Sequence, residues 1–472
     1  MKVILAGYNV DTEVLRDMSD KAGPREDLTP EVFSAAYARI SRDPRPIDQI
    51  RQSARDEVER TRKSNSTIIF KMGHHSVAEH AVFNFDIIGL SRFAMEELEK
   101  FRLCSFTEKS QRYITLEDDF VIPPEIAGSP LADDFTAMVR EQNSFYHALY
   151  EKLKAYVFEN NAELAQEKKN TSLLEGWAKE DARYITALAT EAQVGLTVNA
   201  RNLELMLRRF ASHPLQEIQS LGRTMYDQVK KVAPSIILFH EANQFDKKTY
   251  ADIEGLVRAR FRADTGTSVC DGGSVDLVEH DDGDLLIAAA LLYRVSPARS
   301  YAECRQLAEK MSAEEIRELF RSANTYLQFY DSLVREYEYA NLTYDVVLSA
   351  ACFGQLKRHR MTTLSSQGYD PCLGITVPDN IKAVGMTEEF RSVIAKTNTV
   401  YDAIKKTCPA AAPYILTNAH QRRTLVRTNV RELYHMSRLR EDTHAQWDIR
   451  RKTSLMSEAA QKVMPAACML IG

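Results

Sequence analysis

The chain has 472 residues, 44% of them hydrophobic and 27% charged, with a formal charge of −5. That length exceeds one ordinary core and predicts two or three domains of a soluble globular protein. The negative balance excludes a non-specific nucleic-acid binder, which needs a net basic footprint, so any anion site has to be local.

In chain order, the opening run MKVILAGYNVDTE carries one lysine and a short apolar stretch, too little for a signal-peptide core, and reads as a first strand. Strand-like alternation is confined to 2–8, 81–89, 272–279 and 340–346. Helical periodicity covers 45–71, 91–101, 131–160, 178–193 and 199–232, then 313–336, 346–359, 386–407 and 429–463. The longest apolar run elsewhere, Leu285 to Tyr293, cannot cross a bilayer, so no membrane association is expected. The cysteines at 104, 270, 304, 352, 372, 408 and 468 are scattered without disulfide or metal spacing. They read as reduced thiols of a cytoplasmic protein that holds no metal.

Four stretches recur in order. Ala38 to Ser41 answers Tyr293 to Ser296, and Val82 to Ile87 answers Leu342 to Val346; Lys100-Phe101-Arg102 answers Arg358-His359-Arg360, and Asn199-Ala200-Arg201 with His213 answers Asn429-Val430-Arg431 with His444. Four ordered matches predict a tandem duplication. The expected division is repeat 1 over 1–243, a turn-rich linker and start of the second repeat over 244–284, and the rest of repeat 2 over 285–472. Each half is α+β with helices in excess.

The chemistry gathers where the repeats differ. The helix ending at Arg360 places Gln355, Arg358 and His359 on one face, and guanidinium groups grip phosphate in a bidentate fashion. A solvated basic helix end complementing the macrodipole is the alternative for that segment alone. On the helix from Asn429, Arg440 shares a stripe with Asn429, while Arg431 and His435 share another. In repeat 1 the informative runs are His74 to His80 and Ser105 to Tyr113; Glu108 and Arg112 could simply pair across one helical turn. His74 and His80 flank Glu79, but the zinc-protease order HExxH is absent.

Taken together these residues resemble the flavin-dependent thymidylate synthases. That family carries an RHR motif continuing to S-x-N-E-x-S-x-R-Y, an upstream H-x-[ST]-x-x-E-H segment, and an N-x-R helix ending in an arginine before a HAQW-like run. Repeat 1 keeps His74, Ser76, Glu79 and His80, then Ser105, Glu108, Ser110, Arg112 and Tyr113, with Arg183 at the place of a substrate-binding arginine. It has lost the basic triplet, and its terminal arginine falls on Phe210 or Arg209 depending on the count. Repeat 2 keeps Gln355, Arg358, His359, Arg360, Asn429, Arg431 and Arg440, with His435 at a flavin-contacting position. Its H-x-S-x-x-E-H segment has become Leu333 to Tyr339, its E-x-S-x-R run now begins at Ser366, and Pro413 stands in place of Arg183.

The resemblance implies active sites between subunits of a homotetramer, and the losses follow that division. One interface would join Glu108, Ser110, Gln111, Arg112 and Arg183 to Gln355, Arg358 and Arg440; the reciprocal one would join Glu97, Lys100 and Phe101 to Ser366, Gly368 and Pro413. The implied reaction is methylation of deoxyuridylate (dUMP) with methylenetetrahydrofolate as carbon donor, FAD as hydride carrier and NADPH as electron source. Arg440 would face the uracil edge as the catalytic charge. Gln355, Arg358, Glu108, Ser110, Gln111, Arg112 and Arg183 would hold the nucleotide. Ser76, Glu79, His359, Arg360, Asn429, Arg431 and His435 would seat FAD, and His74 would contact folate. The implied assembly is a homodimer forming a pseudo-tetramer. A flavoenzyme acting on another nucleotide and a non-catalytic nucleotide-binding paralogue are the alternatives.

Overall fold

In the computed structural model the described residues are 1–17, 28–40, 43–71, 73–112, 114, 116–260 and 273–472. The expected motif positions Ser41 and Tyr113, Cys270 and the 261–272 part of the expected linker lie outside them. Repeat 1 holds a sheet of four antiparallel strands, β1 (Lys2–Tyr8), β2 (Val82–Ser91), β3 (Cys104–Glu108) and β4 (Glu191–Asn199), in the order β1-β2-β4-β3. Repeat 2 repeats it with β5 (Val275–His280), β6 (Asn341–Ser349), β7 (Thr363–Tyr369) and β8 (Gln421–Asn429), in the order β5-β6-β8-β7. The α+β reading with two small antiparallel sheets among long helices is therefore the observed fold. No helix among the described residues is long and apolar enough to cross a membrane.

Half of the strands differ from the sequence expectation. β3, β4, β7 and β8 were not expected, and residues 191–193, assigned to a helix, open β4. The 178–193 helix stops at Ala182, where a tight turn, Arg183–Ile185, takes over. The expected 346–359 helix begins only at Ala350, because Val346 to Ser349 finish β6. The 313–336 helix ends at Asn324. β8 buries Arg422, Thr424, Val426 and Thr428 on alternate positions, so three of these four inward residues are polar and its period does not show in hydrophobicity. Part of the expected linker, Gln244–Arg260, is a helix.

The strand after each crossover feeds a helix through the same device. Asn199 caps Ala200–Ala211 by accepting from the Asn202 amide, and Asn429 caps Val430–Arg440 by accepting from the Glu432 amide. Ser91 and Ser349 cap Arg92–Leu98 and Ala350–Leu356 in the same way. Register agrees with this equivalence: Val82 faces Asn199 and Asn341 faces Asn429.

The repeats meet face to face along residues 184–189 and 414–419. The amides of Leu188 and Ala189 donate to the carbonyls of Leu416 and Tyr414, at 2.7 and 2.8 Å, and those of Asn418 and Ala419 donate to Thr186 and Tyr184, at 3.0 and 2.9 Å. A bridge pairing Ala187 with Thr417 lies at the centre of this pseudo-twofold ladder. One continuous apolar core runs through it from the repeat 1 sheet to Tyr369, Phe390 and Tyr414 of repeat 2. That shared apolar core packs the two repeats against each other.

Candidate active site

The fold carries repeat 1's polar run to repeat 2's basic helix end within the same chain. A narrow cleft is lined by Arg92, Glu108, Ser110, Gln111 and Arg183 from repeat 1 and by Gly354, Gln355, Arg358 and Asn418 from repeat 2. Glu108 ends β3, Ser110 and Gln111 follow it, and Arg183 occupies the tight turn at the pseudo-twofold ladder. Gln355 closes the Ala350–Leu356 helix, and Arg358 follows it.

Charge in the cleft is predominantly positive. Burial opposes ionisation of Glu108, yet Lys357, Arg92, Arg358 and Arg183 around it hold its carboxyl below the usual range. Arg358 reaches it at 3.6 Å with its own side chain 47% exposed, so this ion pair closes the mouth of the cleft. Burial lowers the Arg183 pKa, and Arg112 and Arg92 press it in the same direction. The Nη2 of Arg183 and the Nε2 of Gln111 are buried donors without an acceptor among the described residues. Arg92 Nη1 and Asn418 Oδ1 in the same cleft also lack a hydrogen-bond partner among the described residues; nearly every buried polar group in a folded protein finds one, and the orphaned donors here suit an anionic acceptor. Arg112 spends its Nε on Glu180, at 2.6 Å, and an Nη on the His444 carbonyl, at 3.2 Å.

Arg440 lies behind this cleft. Its Nε donates to His359 Nε2 at 2.8 Å, and its two Nη groups donate to the side-chain and main-chain oxygens of Gln355, both at 3.3 Å. An imidazole that accepts at Nε2 is neutral, so its Nδ1–H faces Glu432, 3.3 Å away. Burial agrees, lowering the His359 pKa. Burial and the nearby Arg358 and Arg112 bring Arg440 down to about 10.

Beyond Glu432 opens a second cavity of about 520 Å³, lined by Asn429, Arg431, Glu432, His435, Arg438, Phe329 and Met361 among others. Arg431 is tied to the Leu333 carbonyl at 2.6 Å and to Glu338 at 3.1 Å. His359, Glu432 and His435 offer ligand atoms within 4.8 Å of one another, a spacing open to a metal. The ring of His359 is already committed on both nitrogens, and the trio forms the wall between cleft and groove.

Four expected residues stand elsewhere. His74, Ser76 and Glu79 lie at the His75–His80 turn, packed on repeat 1's own Ala200–Ala211 helix, where Glu79 pairs with Arg201. Arg360 turns back to donate to the carbonyls of Arg102, at 3.1 Å, and Cys104. Arg92, buried in the cleft, was not among the expected residues. Burial opposes its charge, but Glu108 and Glu96 more than offset this and raise its pKa. The signal that could have found it is its replacement by alanine, Ala350, at the first helical position after Ser349 in the other repeat.

The reciprocal interface is filled by its own side chains. The caps place Phe210, not Arg209, at the position of Arg440, and Phe101 at that of His359; their rings meet edge-on at 5.7 Å. Arg209 instead pairs with Asp246 at 2.9 Å. Glu97, in the place of Gln355, is held down to about 2; burial opposes this, but His213 and Lys100 outweigh it. Where the open cleft has Gly354 and Gln111, the closed one has Glu96 and Tyr369, and Arg422 stands at the position that Ala192 holds in repeat 1. Arg422 bonds Glu96 at 2.8 Å, stacked 4.5 Å from the Tyr369 ring and 4.6 Å from that of Phe353.

The family model described as thymidylate synthase complementing protein matches this chain twice, over residues 26–235 and 276–466. The chain is 30% identical over 214 residues to the flavin-dependent thymidylate synthase of Clostridium tetani, covering 44% of this chain and 82% of that protein. It is 31% identical over 210 residues to the one from Geobacter sulfurreducens, covering 44% and 80%. A UPF0159 protein of Chlamydia muridarum is 24% identical over 418 residues, covering 84% of this chain and 78% of its own length. The chain belongs to the thymidylate synthase complementing protein family, and the double match fits the tandem duplication of the family domain.

Proposed function

We propose that this chain is a flavin-dependent thymidylate synthase with one composite active site, whose nucleotide cleft is built within the chain by both repeats. The observation that carries the reading is the pair of orphaned donors, Arg183 Nη2 and Gln111 Nε2, in a cleft also walled by Arg92 and Arg358. A phosphate monoester supplies the acceptors those groups lack. The division is repeat 1 over 1–243, a linker and the start of repeat 2 over 244–284, and the rest of repeat 2 over 285–472.

Arg183, Arg92, Ser110 and Gln111 bind the phosphate and sugar of dUMP. The cleft admits only about 20 Å³, so Arg358 leaves Glu108 for the nucleotide as it enters. Arg112, fixed by Glu180, closes one side. Arg440, held by Gln355 and the neutral His359, presents its charge to the pyrimidine edge, where negative charge develops. Its depressed pKa makes it a readier hydrogen-bond donor, and its burial strengthens the contact.

The groove next to the cleft fits a flavin: Asn429, Arg431 and Arg438 suit an anionic tail, while His435, Phe329 and Met361 suit a planar ring. FAD bound there supplies the hydride for methylation, with NADPH as its reductant and methylenetetrahydrofolate as the carbon donor. His359 and Glu432 would hold Arg440 at the junction of the nucleotide and flavin sites. Because His74, Ser76 and Glu79 lie on repeat 1's own surface, their contacts to flavin and folate need a second copy. A cytoplasmic homodimer arranged as a pseudo-tetramer provides it.

The test is turnover: purified protein with FAD, NADPH, methylenetetrahydrofolate and dUMP forms thymidylate and shows a bound-flavin absorbance. Bound flavin with methylation of a different nucleotide moves the reading to another acceptor. A colourless protein that neither takes up FAD nor binds dUMP ends it.

A further inference from the structure

The run from Ala445 to Asp448 lines neither the cleft nor the groove, yet it grips one residue of the other repeat. Tyr184 is fully buried beside Arg183 in the same tight turn. Its hydroxyl accepts from Gln446 Nε2 at 2.8 Å and donates to Asp448 Oδ2 at 3.0 Å. The Trp447 ring stacks on it with centroids 5.6 Å apart, while the Trp447 Nε1–H bonds Asp181 at 2.7 Å. The same Asp448 oxygen accepts from Ser349 Oγ at 2.6 Å, and Ser349 caps the helix that ends at Gln355 and Leu356, just before Arg358.

A single carboxylate thus joins the turn bearing Arg183 to the helix bearing Gln355. These are the two walls of the cleft, one from each repeat. Buried hydrogen-bonded networks of this kind fix relative position as well as adding stability.

Pseudo-symmetry supplies an internal control. At the closed interface Tyr414 donates to Glu217 at 2.6 Å, and Glu217 also accepts from Ser91 Oγ at 2.7 Å. Tyr414 follows Pro413 where Tyr184 follows Arg183. The glutamine and tryptophan are missing from that copy: the residues before Glu217 are Leu215 and Gln216. The extra grip has been kept only on the side of the open cleft.

We propose that Tyr184 is a positioning residue: clamped by Gln446, Trp447 and Asp448, it sets Arg183 against Gln355 and Arg358 and so sets the grip on a phosphate. This rests on the composite-site reading.

The matched substitutions Tyr184→Phe and Tyr414→Phe, made in the full chain, separate positioning from packing. Each removes one buried hydroxyl from a carboxylate and lowers Tm, Tyr184→Phe by more because it also leaves Gln446 Nε2 without its acceptor. Only Tyr184→Phe weakens dUMP binding, by about tenfold in Kd measured by calorimetry, while Tyr414→Phe stays within about twofold. Gln446→Leu, which keeps Tyr184 and Asp448, shifts Kd in the same direction by less and serves if Tyr184→Phe does not fold. Equal Kd changes in the two tyrosine variants, or an unchanged Kd in Tyr184→Phe or Gln446→Leu, overturn the proposal. Should the wild-type protein not bind dUMP, the proposed function fails by itself; inorganic pyrophosphate then probes the same arginines, and the same asymmetry sustains the positioning role. Absence of pyrophosphate binding as well overturns both.

Discussion

The pair His359–Arg440 in repeat 2 and the pair Phe101–Phe210 in repeat 1 occupy the same two positions of one fold. One is a polar contact that needs neighbours to stay hydrated or bound; the other is an edge-to-face aromatic contact that needs nothing. The surrounding positions changed with them. Gly354 leaves room at the open cleft, whereas Glu96 and Arg422 fill the closed one with an ion pair and stacked rings. The closed interface is packed as core, and each replacement there satisfies the partner that another replacement brought.

The largest expected effect tests whether the two interfaces differ at all. Arg183→Ala and Arg440→Ala should each lower thymidylate formation on the order of a hundred- to a thousandfold, because a charge aimed at the reacting nucleotide is lost. Lys100→Ala and Ser366→Ala, on the closed side, should stay within about twofold in the same assay. Comparable damage from both sets breaks the comparison.

Next comes the chain boundary. Since Glu108, Gln111 and Arg183 already face Gln355 and Arg358 in one chain, mixing an Arg183→Ala protein with an Arg440→Ala protein should restore no activity. Recovery of about a quarter of wild-type turnover after mixing and refolding would mean that the cleft is assembled across chains.

A smaller, sharper test concerns the space at Gly354. A Cβ there would come within 2.4 Å of the Arg92 guanidinium. Alanine favours a helix over glycine by about 1 kcal/mol, so a Gly354→Ala protein has no intrinsic reason to be less helical. Nucleotide affinity should nevertheless fall about tenfold as Arg92 is displaced, while Tm changes little. An unchanged dUMP Kd would remove Arg92 from the binding set.

Much of this asymmetry is legible in the amino-acid sequence, because the complementary losses show when Lys100-Phe101-Arg102 is set beside Arg358-His359-Arg360. The fold was less legible. β4 was partly lost to helical periodicity, since Ala192, Val194 and Leu196 follow directly on an alanine-rich helix and turn. β8 buries Arg422 and two threonines, so burial there is set by the ion pair with Glu96, which no local pattern encodes. Arg92 was overlooked for the same reason: its meaning comes from Glu108 across the cleft. The placement of Phe210 against Arg440 was decidable only from the two capping asparagines.

The smallest effect sets two unmatched buried groups against each other. Asp181 of repeat 1 accepts from Trp447 and Asn380 of repeat 2, and its position in repeat 2 is held by Ala411. Burial, with Glu180 adding to it, lifts its pKa from 3.8 to about 7. The folded state therefore keeps a proton that the unfolded chain has lost, so this contribution is full below 3.8 and disappears as pH rises through 7. His420 of repeat 2, whose repeat 1 counterpart is Thr190, accepts from the Thr417 amide at 2.9 Å and faces Asn398 Oδ1 at 2.8 Å. Burial lowers its pKa from 6.5 to about 4, so its contribution is present above 6.5 and is lost as pH falls through 4. Across the shared window each group changes stability by about 1.4 kcal/mol per pH unit at most, in opposite directions. Asp181→Asn should thus make Tm fall more steeply on acidification from about pH 6.5 to 4, and His420→Gln should make it fall less than in the wild type. Profiles parallel to the wild type in both variants would show that neither group titrates at the interface of the repeats.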